Sequence, residues 1–282
     1  MTWTLTGDLD EYLAAAGGFL RSDPVQHTIE LAAVEQMQAR GPSAFGPPGP
    51  LFGWWRPGDG PVTAAALHTP PYPVLVTPLP AGAAPPLARG LLARGRALGG
   101  VNGEQTDSAR FAAAWMDLTG AGSRVLRRSR LFRLGTLTPL DPGPDGAPRR
   151  ATAADRDLLI SWMAGFTAET GDSPGPQPGV IDDELSYGGL TLWETDGVPV
   201  SVAGLRRPAA GVVRVGPVYT PPDQRRHGYA AAATVAVSQA ALDAGAAGVV
   251  LFTDLASDAS NALYPRLGYQ PVADRVMLSF KS

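Results

Sequence analysis

The stretch from Val212 to Ala230, VVRVGPVYTPPDQRRHGYA, limits the possible folds more than any other part of the sequence. Residues 212–220 are mostly β-branched, aromatic or small, which predicts a strand that is covered on both faces. Pro217 has no N–H group, so the hydrogen-bond ladder must break there and the strand must splay. Two further prolines end the strand, and an Ala-rich run then predicts a helix that ends at Gly245. The stretch therefore predicts a broken strand that leads directly into a helix N-terminus.

The turn before this helix has the composition of an anion-binding site. Free N–H groups and the positive end of the helix dipole meet at a helix N-terminus. Gly228 and Ala230 keep side chains out of the way, and Arg225 and Arg226 add positive charge. This pattern predicts a site for a phosphate or pyrophosphate group. No G-x-G-x-x-G follows a strand, and the only lysine is Lys281, which excludes dinucleotide-binding and Walker loops.

Two motifs resemble those of a known family. RRHGYA at residues 225–230 resembles the R/Q-x-x-G-x-G/A signature of the GNAT superfamily of acyl-coenzyme A-dependent N-acyltransferases. NALYPRLGY at residues 261–269, which follows the apolar strand 249–253, is similar to the N-x-x-Y-x-x-x-G-F/Y helix of that family. One short motif would be weak evidence, but two in the right order and at about the right distance are specific.

The resemblance implies that acetyl-coenzyme A is the cosubstrate and that the turn holds its pyrophosphate. The broken pairing near Pro217 leaves the backbone N–H of Val218 or Thr220 free to bond the thioester carbonyl and the pantetheine arm. The predicted cofactor-binding residues are Val218, Tyr219, Thr220, Arg225, Arg226, His227, Gly228, Tyr229, Ala230, Ala231 and Asn261.

Acetyl transfer to an amine needs a neutral amine, a stabilised oxyanion and a proton for the departing thiolate. The resemblance places the phenol of Tyr264 beside the sulfur as the general acid. Glu169, at the end of a predicted helix, and Asp254, at the carboxyl end of a strand, are the candidate bases, and a relayed water would also serve. His227 is a further alternative, but its place inside the phosphate turn favours a backbone contact with the cofactor.

An internal repeat predicts the domain organisation. The hairpin at residues 190–205 repeats the plan of residues 51–67. We therefore expect an α/β (α+β) fold of two tandem GNAT-like domains, each with a mixed, mostly antiparallel, splayed sheet flanked by helices. Residues 1–139 form the predicted degenerate domain, because Pro85 and Pro86 remove N–H donors where a phosphate turn would need them. Residues 149–282 form the predicted catalytic domain, after a linker at about 140–148.

Composition excludes several other classes. The net charge of −3 argues against nucleic-acid binding, and the arginines between Arg124 and Arg133 are expected to be the solvated side of a strand. The absence of cysteine excludes disulfides, thiolate metal sites and a cysteine nucleophile. The three histidines lack metal-ligand spacing, so no metal is expected. No signal peptide or apolar membrane span is recognised, and we expect a cytoplasmic protein without membrane partners.

The predicted function is transfer of an acetyl group from acetyl-coenzyme A to the amine of a small-molecule or peptide acceptor, in a direct ternary complex. The alternative is a non-catalytic coenzyme A-binding sensor or partner module. The presence of Tyr264 and Asn261 favours the enzyme, because a pure binder does not need the phenol. The sequence leaves the acceptor open, and it allows either a monomer or a homodimer.

Overall fold

The computed structural model describes residues 2–41, 48–171 and 178–281. The proline- and glycine-rich segments 41–50 and 173–179, whose composition predicts loops, lie mostly outside the described residues. The first half contains β1 (Thr2–Thr6), α1 (Leu9–Ser22), α2 (Thr28–Arg40), β2 (Leu51–Arg56), β3 (Ala64–His68), β4 (Val74–Val76), α3 (Ala84–Ala93), β5 (Gly100–Glu104), α4 (Gln105–Thr119) and β6 (Gly122–Leu134). The second half contains β7 (Ala147–Arg150), α5 (Arg156–Thr170), α6 (Pro178–Ser186), β8 (Leu190–Thr195), β9 (Val198–Leu205), β10 (Val212–Tyr219), α7 (Tyr229–Asp243), β11 (Gly248–Asp254), α8 (Asp258–Arg266) and β12 (Tyr269–Lys281).

The order of these elements repeats. Each half begins with a strand and two helices, continues with three strands and a helix, and ends as strand, helix and strand. The second half also contains short 3₁₀ turns at Ala153–Asp155 and Pro222–Gln224. The repeated order confirms the predicted duplication and the mixed α/β class.

The chain forms two compact units that do not coincide with the two halves. Unit 1 comprises Met1–Leu131, Thr253–Ala256 and Val272–Ser282, and unit 2 comprises Phe132–Phe252 and Ser257–Pro271. The first unit thus takes most of β12, the final strand of the second half. The domain boundaries at 139 and 149 remain a prediction, which fragments of the chain can test.

The sheet of unit 1 is mostly antiparallel. Strands β1 to β4 pair antiparallel in sequence order, β4 pairs parallel with β5, and β12 pairs antiparallel with β5. In that last pairing Arg275 lies opposite Glu104 and Leu278 lies opposite Val101. One face of the sheet packs on α3 and α4 in a core that includes Phe111, Trp115 and Leu278. The C-terminal strand is therefore a structural part of the first unit.

The opposite face of this sheet carries α1 and α2. The ring of Tyr12 on α1 stacks on Phe52 of β2, with centroids 4.9 Å apart. The carboxylate of Glu30 on α2 accepts a hydrogen bond from Nη2 of Arg275 on β12 at 3.1 Å, and both side chains are almost fully buried. A buried ion pair therefore links α2 to the C-terminal strand within unit 1.

The sheet of unit 2 has the predicted splay. Strands β7, β8, β9 and β10 pair antiparallel in sequence order, and β10 pairs parallel with β11 only from Val212 to Val215. The pairing of β10 with β9 shifts register between Val215 and Val218, around Pro217. The end of β10 thus separates from β11 because of the interruption that the sequence predicted.

Helices cover both faces of the sheet in unit 2. A core on one face combines Val237 of α7, Leu251 of β11 and Phe132 of β6. A second core on the other face combines Leu159 of α5 and Ile181 of α6 with Leu192 of β8. Among the described residues, no helix has both the length and the apolar character that crossing a membrane requires.

Candidate functional site

The predicted phosphate turn lies at the N-terminus of α7. Gly228 is the N-cap and has a left-handed backbone, with φ of 84°. No side chain caps this helix end, and the first N–H groups of a helix have no partner within the helix. Arg226 also has a left-handed backbone, with φ of 66°, an unusual conformation for a residue with a side chain. The turn therefore presents N–H groups and the positive end of the helix dipole to its surroundings.

A cleft of about 270 Å³ opens beside this turn within unit 2. It is lined by Thr220, Gln224, Arg225, Arg226, Gly228, Tyr229, Ala230, Ala231, Ala259, Ala262, Leu263 and Arg266. Most of the predicted cofactor-binding residues are therefore brought together. Four predicted residues lie outside the lining, namely Val218, Tyr219, His227 and Asn261.

Helix α8 forms the second wall of the cleft, and none of its lining residues was among the predicted cofactor-binding residues. Its lining residues are Ala259, Ala262, Leu263 and Arg266. Their spacing of three, four and seven residues places them on one face of a helix. That spacing was readable in the sequence, and it could have identified these lining residues.

Two arginines give the cleft positive charge. In the part of the chain that the structure describes, neither Arg226 nor Arg266 forms an ion pair, and both are exposed. Together with the helix N-terminus, they favour an anionic ligand.

Arg225 holds the turn against the end of β10. Its Nε donates to the carbonyl of Thr220 at 2.9 Å, and its Nη2 lies 2.6 and 2.7 Å from the two carboxylate oxygens of Glu169. Its guanidinium also lies 5.9 Å from the ring centre of Tyr219. The predicted base Glu169 is therefore within the site, but its carboxylate is bound to a predicted cofactor ligand.

The end of β10 is fixed by neighbouring side chains. The hydroxyl of Ser201 donates to the carbonyl of Tyr219 at 3.0 Å, so the hydroxyl of Thr220, at 2.8 Å, donates to Ser201. The ring of Tyr219 packs against Trp162 and Phe166 of α5, with centroids 6.4 Å apart in both cases. Tyr219 therefore contributes packing on the face of the sheet opposite α7.

Tyr264 lies in the core beneath the cleft. Its side chain is 7% exposed, and its ring contacts those of Phe132 and Tyr269. Burial raises the pKa of the Tyr264 phenol to about 12, although a hydrogen bond with Thr234 acts in the opposite direction. Thr234 in turn donates to the carbonyl of Ala230 at 2.7 Å. The phenol therefore stays protonated at neutral pH, which suits a proton donor.

The remaining predicted residues have local contacts. Asp254 belongs to unit 1, where its carboxylate accepts from the N–H of Ala256 at 2.8 Å and lies 4.0 Å from Nε of Arg127. The side chain of Asn261 donates to the carbonyl of Ser257 at 2.9 Å, which stabilises the first turn of α8. The ring of His227 stacks on that of Tyr229, with centroids 5.4 Å apart.

The glycine of the second motif is required by close backbone contacts. Gly268 has φ of 93°, and its carbonyl accepts a hydrogen bond from Gly135 at 3.0 Å. A Cβ atom at Gly268 would overlap the carbonyl oxygen of Thr136. We expect Gly268→Ala to lower the free energy of unfolding by more than the roughly 1–3 kcal/mol that a left-handed non-glycine residue costs. Urea unfolding measures this change.

Gly245 provides the matched control for that change. Its φ is 80°, and a Cβ atom there would meet no atom within 4 Å. Gly245→Ala should therefore lower the free energy of unfolding by the backbone strain alone. Equal losses in the two variants would contradict the argument that the segment around Thr136 requires a glycine.

The first half differs at the equivalent turn. Pro85 and Pro86 lie in the first turn of α3, where neither can offer an N–H group. The absence of a coenzyme site in this half remains a prediction. Across the described residues, no group of three or more His, Cys, Asp or Glu side chains could hold a metal ion.

Comparisons with known proteins agree with this geometry. Residues 157–269 match the family model described as the acetyltransferase (GNAT) family. No curated protein matches the chain. The family match confirms, over residues 157–269, the resemblance that the two motifs indicated.

Solved structures share the fold over nearly the whole chain. A Drosophila protein has a TM-score of 0.65 at 14% identity, covering 97% of this chain and 95% of its own. A GCN5-related N-acetyltransferase from Sphaerobacter thermophilus has a TM-score of 0.62 at 18% identity, covering 99% and 95%. A tandem GNAT protein from the clavulanic acid biosynthesis pathway has a TM-score of 0.55 at 14% identity, covering 99% and 98%. These likenesses confirm the predicted fold class.

Proposed function

We propose, from the GNAT family domain that residues 157–269 carry, that this protein transfers an acetyl group from acetyl-coenzyme A to the amine of a small-molecule or peptide acceptor. Transfer is direct, within a ternary complex. The observation that carries the proposal is the cleft at the N-terminus of α7, which adjoins the splayed end of β10. An anion-binding helix end beside a broken strand is what a long ligand with a pyrophosphate and an amide-containing arm requires.

In this proposal the turn binds the pyrophosphate. The N–H groups around Gly228, Tyr229 and Ala230 donate to its oxygens, and Arg226 and Arg266 supply the opposite charge. The backbone N–H of Val218 or Thr220 donates to the arm of the cosubstrate and to the thioester carbonyl. These donors also stabilise the oxyanion that forms during transfer.

The chemical step needs one acid and one base. The amine nitrogen attacks the carbonyl carbon, a C–N bond forms, and the C–S bond then breaks with its electrons on sulfur. Tyr264 gives its proton to that thiolate, and a raised pKa keeps the proton available. Glu169 and Asp254 remain the candidate bases for the amine proton, directly or through water.

The contact between Glu169 and Arg225 assigns Glu169 a positioning role as well. Because both side chains are about half exposed, we expect Glu169→Gln to raise the KM for acetyl-coenzyme A by only roughly two- to fivefold. Steady-state kinetics at several pH values measure this effect. Asp157→Asn, at a fully exposed position on the same helix, is the control. A large fall in kcat together with loss of the acid limb of its pH profile would instead make Glu169 the base.

Changing Gly228 tests the pyrophosphate assignment. We expect Gly228→Asp to weaken coenzyme A binding at least tenfold, because it places a negative carboxylate at the helix N-terminus, where it repels the negative pyrophosphate. Calorimetry measures the affinity and the stoichiometry, for which we expect one coenzyme A per chain. Gly245→Asp places the same side chain at the other end of α7, also at positive φ, and should bind normally. Equal affinity in the two variants would contradict the assignment.

Turnover separates the enzyme from the alternative of a coenzyme A-binding module. Release of free thiol from acetyl-coenzyme A is measured against a panel of primary amines, amino acids and peptides. Amine-dependent thiol release that is lost in Gly228→Asp supports the proposal. Tight coenzyme A binding without turnover on any acceptor class supports the non-catalytic module.

A further inference from the structure

Unit 1 contains a cavity of about 250 Å³ on the side of its sheet that carries α2. Its floor crosses three adjacent strands, because Leu75 of β4 lies opposite Asn102 of β5, which lies opposite Met277 of β12. One wall is formed by α2, through Ile29, Ala33 and other residues on the same helical face. The cavity is therefore built from elements of unit 1 alone.

The lining of this cavity has no charged side chain. It is mostly apolar; besides the phenol of Tyr72, its polar side chains are those of Thr69, Asn102 and Gln36. Thr69 is only 4% exposed, and Asn102 is half-buried. Within the described residues, none of these three side chains forms a hydrogen bond. The cavity therefore combines an apolar surface with a few polar groups that are free to bind a ligand, which is typical of small-molecule sites.

The charged residues nearest along the strands are paired with neighbouring side chains. Arg275 lies two residues from Met277 and Glu104 lies two residues from Asn102, so these pairs share a face of the sheet. Arg275 pairs with Glu30, and Glu104 accepts a hydrogen bond from Gln26. The cavity itself is left neutral, unlike the arginine-lined cleft of unit 2.

We propose that this cavity is a second ligand site, for a small uncharged molecule that has an apolar body and a carboxamide-like edge. A charged ligand would lose its hydration without gaining an opposite charge. The amides of Asn102 and Gln36 each offer a donor and an acceptor, which an amide edge matches. The volume is below the usual range for drug-sized ligands, so the ligand is smaller than a typical drug.

Three probes of similar size and different charge test this proposal on the full chain. Benzamide is neutral with an amide edge, benzoate is an anion and benzylamine is a cation. We expect benzamide to bind, and benzoate and benzylamine to bind at least tenfold more weakly, in ligand-observed NMR titrations. Similar binding of all three probes, or no binding of benzamide up to its solubility limit, would overturn the proposal.

Two variants locate the site. Ala33→Phe fills the cavity from α2 and should abolish benzamide binding, whereas Ala39→Phe, at an exposed position outside the lining, should not. Asn102→Leu removes the amide with little change in volume, and should weaken benzamide while sparing toluene. If Ala33→Phe fails to fold, Asn102→Leu alone tests whether benzamide binds in this cavity. Unchanged benzamide binding in Asn102→Leu would refute the amide contact.

The cleft of unit 2 is tested separately. Gly228→Asp should leave benzamide binding intact, because Gly228 belongs to the other unit. Loss of benzamide binding in that variant would place the probe in the coenzyme cleft and would overturn the second site. If the protein binds benzamide but does not transfer acetyl groups, the result would contradict the proposed function and leave the second site supported.

Discussion

Replacing Tyr264 with phenylalanine is expected to lower kcat by roughly 10²–10⁴, the usual contribution of a general acid. The affinity for coenzyme A should change little, because Tyr264 lies outside the lining of the cleft. Single-turnover and steady-state kinetics separate the two effects. Tyr269→Phe is the matched control, since it removes a buried phenol from the same core without a proposed role in the reaction. Wild-type turnover in Tyr264→Phe would remove Tyr264 from the mechanism.

The pH dependence of Tyr264→Phe gives a second measurement. Burial favours the neutral phenol in the folded protein. The contribution of Tyr264 to the free energy of unfolding is therefore complete below the ordinary pKa near 10, and it is lost as the pH rises to about 12, where the folded-state phenol ionises. The rise of the pKa of Tyr264 to about 12 corresponds to roughly 3 kcal/mol of folding free energy that is lost over this pH range. Tyr264→Phe should therefore lose less stability than the wild type between pH 10 and pH 12. An identical loss in both proteins would contradict the assigned pKa.

Cutting the chain between its two halves is expected to leave neither half able to fold. A fragment of residues 149–282 lacks Phe132 and Leu134, which are buried in the core of unit 2. Losing each of these side chains costs roughly 2–5 kcal/mol, against a total stability of roughly 5–15 kcal/mol for a typical protein. Circular dichroism and coenzyme A binding measure the outcome.

A fragment of residues 1–139 has the complementary defect. It lacks the strand that pairs with β5 and supplies Val276 and Leu278 to the core of unit 1. It also leaves the buried carboxylate of Glu30 without Arg275, and breaking a buried ion pair costs roughly 3–5 kcal/mol. We therefore expect this fragment to be unfolded or aggregated when it is produced alone.

Two comparisons make the fragment experiment decisive. A fragment of residues 132–282 keeps the missing core side chains of unit 2, and should bind coenzyme A better than residues 149–282. Producing residues 1–139 and 140–282 together should restore more structure than either fragment has alone. If residues 149–282 fold and bind as well as residues 132–282, the contribution of Phe132 and Leu134 is contradicted.

The sequence predicted the parts of the fold that depend on local chemistry. The break at Pro217, the turn at Gly228 and the start of α7 follow one another in the chain, and backbone preferences decide each of them. The hairpins were recognisable because their strands are neighbours in sequence. The first helix was not identified, although Asp8 caps it by accepting from the N–H groups of Asp10 and Glu11.

Long-range pairing was beyond sequence reasoning. The residues of β12 read as an ordinary final strand of the second half, and nothing in their alternation identifies β5 as their partner. The same limit applied to the site. Glu169 was predicted as a base, but its pairing with Arg225, at a separation of 56 residues, depends on how α5 packs beside the turn. Motifs thus located the cleft, whereas the partners of individual side chains required the structure.

The place of β12 has a consequence for how the protein is made. A ribosome completes residues 2–131 long before it reaches Val272, so the emerging first unit has an unpaired β5 edge throughout the synthesis of the second half. Exposed strand edges and incomplete cores are the features that chaperones bind and that lead to aggregation. Early release of a truncated chain would therefore yield a misfolded product, and folding of the first unit is coupled to completion of translation through residue 281.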